Sequence, residues 1–194
     1  MGRTLCSRIS AIFIFILLFT SMLHSQNILV TYYSQTGNTK AMAESVAKGA
    51  RSIKGADVRL LTIDSTKTDD LLWADAIIVG SPVHNANVAA PVVEAMSRWP
   101  WPSKLKDKIG AAFVSGGGIS AGQELTQLNL LHTFLLFNMI VVGGPTWEQA
   151  FGAAAITDEK PFTDEQRRGV APSFLRKAEA LGKRVAEVAK RINR

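Results

Sequence analysis

Past the first 25 residues, short apolar runs alternate with stretches of helical periodicity. The runs are "ILVTYY" (residues 28–33), "VRLLTI" (58–63), "AIIVGS" (76–81), "GAAFVSG" (110–116) and "MIVVGG" (139–144). Three of them are apolar at nearly every position, as strands covered on both faces must be, whereas "VRLLTI" carries Arg59 and Thr62 and predicts an edge strand. Helices are expected over residues 38–53, 91–99, 121–137 and 163–192. Strand and helix patterns in strict alternation predict an α/β fold with a parallel sheet, and right-handed crossovers make it doubly wound, with helices on both faces. No repeat or linker interrupts residues 26–194, which are expected to form one domain.

The first 25 residues follow a different pattern. Arg3 and Arg8 precede an apolar run from Ala11 to Phe19, and "TSMLHSQ" follows it. That is the layout of a secretory signal peptide, with cleavage expected near Ser25. The run is shorter than the roughly 20 residues of a membrane span, and an uncleaved membrane anchor is the alternative. The expected location is therefore periplasmic or extracellular, or membrane-anchored if the segment stays. Cys6, the only cysteine, lies inside it, so the domain proper has no thiol or disulfide chemistry.

A composition of 47% hydrophobic and 20% charged residues suits a chain with a real core and does not indicate disorder. The formal charge of +6 drops by two without Arg3 and Arg8, and much of the excess falls in the last helical pattern, with Arg176, Lys177, Lys183, Arg184, Lys190 and Arg191. A solvated helix face accounts for it, and no nucleic-acid partner is expected.

In a doubly wound sheet the ligand lies beyond the carboxyl ends of the strands, which directs attention to three loops. The first, "SQTGNT", comprises Ser34, Gln35, Thr36, Gly37, Asn38 and Thr39. Between a buried strand and a helix N-terminus, its hydroxyls and unpaired N–H groups suit a phosphate. It has neither the Walker lysine nor G-x-G-x-x-G, so one phosphate held by neutral donors fits better than a pyrophosphate. A plain helix cap at Thr36 or Asn38 is the alternative.

The second loop, "GSPVHNANVAAP" (80–91), offers Pro82, Val83, His84, Asn85 and Ala86 as backbone partners for a flat heteroaromatic edge. His84 is a weak catalytic candidate, since nothing nearby in the sequence orients it as a base. The third, "SGGGISAGQE" (115–124), offers Ser115, Gly116, Gly117, Gly118 and Ser120, where small residues let main chain approach a ligand. Glu124 suits the positive end of the helix that follows. No metal cluster or catalytic triad is expected.

At these loops the sequence resembles the flavodoxin-like proteins, and specifically the WrbA-type NAD(P)H:quinone oxidoreductases and related FMN-binding proteins. "YYSQTGNTKAMAESVAKGA", "GSPVHNANVAAPV", "AGQE" and "AFGAAAI" (150–156) match in order and spacing, and the likeness covers residues 27–194. The resemblance implies a five-stranded parallel sheet in the order 2-1-3-4-5 and an FMN whose phosphate sits in the first loop. It implies hydride transfer from NAD(P)H to the flavin and onward transfer to a quinone or another small redox acceptor. A homo-oligomer is a further implication. Two alternatives remain beside it: a flavodoxin-type carrier docking on protein partners, usually more acidic than this chain, and a flavin-binding module without turnover. The family's Pro-Thr-Arg-aromatic-Gly turn is replaced here by Pro82 to Ala86, and its His before Gly-Gly-Gln-Glu by Ser120 and Ala121. The second replacement bears on quinone reduction and not on FMN binding. Of the tryptophans, Trp147 is the best placed to stack on a flavin, ahead of Trp73, Trp99 and Trp101.

Overall fold

Successive side chains of a strand point to opposite faces, and in β1 (Gln26–Tyr32) both faces are apolar: Ile28 and Val30 enter one buried cluster, Leu29 the other. The computed structural model describes residues 25–163 and 169–192. After β1 come α1 (Asn38–Arg51), β2 (Ala56–Thr62), α2 (Thr68–Trp73), β3 (Ala76–His84), β4 (Asn87–Val88) and α3 (Ala90–Ser97). Then follow β5 (Ile109–Gly116), α4 (Gln123–Leu136), β6 (Ile140–Val141), β7 (Ala153–Ile156) and α5 (Pro172–Ile192). β3 and β5 divide their side chains as β1 does, with Ile78, Ala111 and Phe113 on one side and Ile77, Val79, Ala112 and Val114 on the other.

The main sheet runs β2-β1-β3-β5-β6, parallel throughout. The expected order 2-1-3-4-5 holds, with one correction at its end. The fifth run forms only Ile140–Val141, and the same edge of β5 is taken up again by β7, which pairs Phe113 to Gly116 with Ala153 to Ile156. Between them the chain makes an excursion, closed by the Gly144 N–H donating to Gln149 O at 2.8 Å. β2 is the expected edge, its burial alternating from Ala56 to Leu60, and its Arg59 guanidinium lies 3.9 Å over the Trp73 ring while donating to Asp70 at 2.7 Å. α2 was not expected, since six residues are too few to show a helical period. The last helix begins at Pro172 rather than near residue 163, and residues 164–168 lie outside the described part.

α1 and α5 cover one face, and α2, α3 and α4 the other. α1 and α5 cross at van der Waals contact of their backbones: a Cβ on Gly182 would sit 1.9 Å from Val46 O, and one on Gly49 would sit 1.9 Å from Glu179 O. This pins α1, and with it the loop ahead of α1, against the sheet.

The leader assigned to residues 1–25 falls, but for Ser25, outside the described residues. The location drawn from it is corrected as to membrane anchoring: among the described residues no helix is long and apolar enough to cross a membrane. Cations spaced along α5, the longest helix, rule it out as a span.

Candidate functional site

β1, β3 and β5 are adjacent and parallel, so the three loops at their carboxyl ends converge. A buried hydroxyl pair, Thr39 Oγ1 to Ser115 Oγ at 2.8 Å, ties the first loop to the third.

In the first loop Gly37 is the N-cap of α1 at φ 94°, a left-handed conformation that favours glycine. The capping acceptor is neither Thr36 nor Asn38. Ser34 Oγ accepts the Gly37 N–H at 3.1 Å and the Lys40 N–H at 3.2 Å. Among the described residues the N–H groups of Thr36, Asn38 and Thr39 have no acceptor. Gln35, Thr36 and Gly37 are exposed, Asn38 is half-buried and Thr39 is buried. Outward-facing amides at the positive end of a 14-residue helix favour an anion.

The second candidate stretch, a polar turn in the sequence, is a β-hairpin. β3 continues through Pro82 and Val83 to His84, and β4 returns with Val83 opposite Val88. Asn85 and Ala86 make the turn at φ 50° and 59°, the pair of positive values that a two-residue type I′ turn requires. Buried Ser81 anchors it by accepting the Ala89 N–H at 3.0 Å and donating to Pro82 O at 2.7 Å. His84 is half-buried and meets Tyr33 edge-on, ring centroids 6.3 Å apart, which makes a wall of two aromatic rings beside the first loop.

In the third stretch Ser115 and Gly116 end β5, Gly117 and Gly118 are half-buried, and Ser120 is exposed. The carbonyls of its three glycines are all taken. Gly116 O accepts from Thr157 N (3.0 Å) and Thr157 Oγ1 (3.2 Å), Gly117 O from Asp158 N (3.0 Å), and Gly118 O from Ala121 N (3.3 Å) and Gln123 Nε2 (2.5 Å). Among the described residues the N–H groups of Gly117, Gly118 and Ser120 have no acceptor. Two loops at one end of the sheet thus present rows of unspent donors.

The residues behind that loop, Thr157, Asp158 and Glu159, were missed in the sequence, as was Tyr33. A signal existed: "TDE" directly follows the last strand of the sheet, at the same carboxyl end as the other loops. The tryptophans lie elsewhere in the fold. Trp73 carries Arg59, Trp99 is buried against Phe134 and Phe137, Trp101 meets Phe137, and Trp147 stands 85% exposed on the excursion between β6 and β7.

A doubly wound sheet with such a cradle at its switch point defines a mononucleotide-binding protein. Residues 65–153 match the family described as NADPH-dependent FMN reductase, and residues 29–98 match the flavodoxin domain. The chain belongs to the flavodoxin-like family, and it is an FMN-binding oxidoreductase resembling the WrbA-like NAD(P)H:quinone oxidoreductases. It is 33% identical over 170 residues to a flavodoxin of Aquifex aeolicus, covering 82% of this chain and 85% of that one. To an NAD(P)H dehydrogenase (quinone) of Archaeoglobus fulgidus it is 29% identical over 197 residues, 85% of this chain and 98% of the relative. Among solved structures, a WrbA-like flavodoxin from Agrobacterium tumefaciens superposes with a TM-score of 0.69 at 25% identity, covering 86% of this chain and 99% of that one.

The residues present fit FMN. Neutral amides and hydroxyls at a helix N-terminus match one phosphate, and the unspent N–H groups of the third loop match a ring edge rich in carbonyl and imine acceptors.

Proposed function

We propose that this protein takes electrons from NAD(P)H onto FMN and delivers them to a quinone or similar small acceptor. The phosphate would lie on Ser34, Gln35, Thr36, Gly37, Asn38 and Thr39, and the ring between the hairpin Pro82, Val83, His84, Asn85, Ala86 and the loop Ser115, Gly116, Gly117, Gly118, Ser120. The supporting observation is the set of unspent N–H groups on two converging loops, with the carbonyls of the glycine loop already taken. Bound there, FMN supplies the hydride-accepting ring, and the protein supplies binding and orientation. Ser34 holds the turn that aims the Thr36 and Asn38 amides. The Thr39–Ser115 pair holds phosphate loop and glycine loop at a constant separation. Tyr33 and His84 wall the site and exclude water from one side. Ser120, exposed where the WrbA pattern has its His, leaves the acceptor's protons to solvent.

Titration of the protein with FMN, followed by NADPH and then a benzoquinone without oxygen, tests this. Stoichiometric binding, bleaching of the visible flavin bands and their return on adding quinone are expected. FAD as the preferred ligand, or a bleached protein that quinone does not reoxidise, would count against it.

The two loop threonines should behave differently. Thr36→Ala removes an exposed hydroxyl beside the unspent amides, and a hydrogen bond to a charged group is worth about 1.5–3 kcal/mol, roughly tenfold or more in affinity. FMN should weaken by that factor and riboflavin should not. Thr39→Ala breaks the tie to Ser115 instead, so both ligands should weaken alike. A Thr39→Ala protein that loses FMN alone would place that hydroxyl on the phosphate.

A further inference from the structure

The carboxylate of Glu159 lies against the glycine loop from outside. Its Oε2 accepts the Ile119 N–H at 2.6 Å across 40 residues of sequence. A Cβ on Gly118 would stand 2.8 Å from that same oxygen, and one on Gly117 would stand 3.2 Å from Asp158 Oδ2. A side chain at Gly118 would have to displace the end of the Glu159 side chain from the position in which it holds Ile119. Asp158 is held in turn, its N–H donating to Gly117 O at 3.0 Å and its Oδ2 accepting from Thr157 Oγ1 at 3.1 Å. Glu159 is also anchored by its own backbone, its carbonyl accepting the N–H groups of Phe162 (3.0 Å) and Thr163 (3.3 Å).

We propose that Glu159 is a positioning residue for flavin binding: by clasping the Ile119 amide it fixes the glycine loop with the Gly117, Gly118 and Ser120 N–H groups facing the ring site. The proposal rests on the assignment of that loop to the FMN ring. Three small residues in a row have no preferred backbone shape of their own. A loop free to sample many shapes would offer three aligned donors only a fraction of the time, and affinity falls by that fraction. A short charge-assisted bond from a residue fixed in another segment removes this freedom before the ligand arrives. Glu159 acts through Ile119 and needs no contact with the cofactor.

Because the clasp orients the ring's donors and not the phosphate's, its loss must cost FMN and riboflavin equally. Glu159→Ala is expected to weaken both by about tenfold, and Glu159→Gln, which keeps an acceptor at the same reach, should stay within about threefold of wild type. In the flavin-free protein the Ile119 amide should exchange with solvent at least about tenfold faster in Glu159→Ala, while amides in β1 and β3 keep their protection. Unchanged riboflavin affinity in Glu159→Ala would overturn the proposal, and so would a Glu159→Gln protein as weak as Glu159→Ala. If the wild type bound no flavin at all, the assignment of the cofactor would fail. The exchange rate at Ile119 would then still report separately on whether the clasp exists.

Discussion

Gly37→Val is expected to lower FMN affinity at least about tenfold and to cost the domain about 1–3 kcal/mol of stability. Gly37 holds φ 94° at the start of α1, with nothing within 4 Å of the place a Cβ would occupy. The penalty is therefore backbone strain and not collision, and a β-branched residue bears it worst. The loop has two responses. It can keep its shape and take the strain as lost stability, or flip to a negative φ and turn the Thr36 and Asn38 amides away from the phosphate position. Flavin titration and thermal unfolding on one preparation separate the two, and Gly37→Ala is the control for size. Wild-type affinity in the Val variant would remove Gly37 from the phosphate cradle.

Gly182→Val acts by the opposite mechanism. Gly182 has helical geometry, but a Cβ there would lie 1.9 Å from Val46 O and 2.7 Å from Val46 C, both backbone atoms of α1. A side chain in the way could rotate aside; a helix backbone cannot. α1 and α5 must separate, opening the buried layer of Val46, Ala47, Ala50, Ala178, Val185 and Ala186. The expected loss is about 3 kcal/mol, a fall in Tm of about 6–12 °C for a domain of this size. Since α1 carries the phosphate loop at its N-terminus, FMN binding should fall along with stability. A Tm within about 2 °C of wild type would mean that the helices can part without cost.

Both glycines stand in stretches whose secondary structure is plain from the sequence, yet only Gly37 is singled out by it. "SQTGNT" announces itself by residue type between an apolar run and a helical period. Gly182 sits in "EALGKRV" as a poor helix former with no local reason. Its reason is α1, more than 130 residues earlier in the chain. The glycine run at 116–118 lies between these cases: its flexibility can be read from residue type, but the contact between Glu159 and Ile119 is made across 40 residues.

Local pattern determined the elements, because burial on a sheet face imposes a period of two and on a helix a period near 3.6. It set the parallel sheet, the edge position of β2 and the carboxyl-end loops, among them a loop of neutral donors ahead of α1. The tertiary structure decided whatever depends on two distant segments meeting. It shared the fifth position between β6 and β7, because pairing with β5 can resume after an excursion as long as the register is recovered. It made a hairpin of Pro82 to Ala86, because β4 was free to pair with the end of β3. It spent the Thr39 hydroxyl on Ser115, 76 residues away, and placed Glu159 against Ile119, 40 residues away. A hydrogen bond reaches about 3 Å through space whatever the chain length between its partners, and the pattern along a sequence carries no measure of that distance.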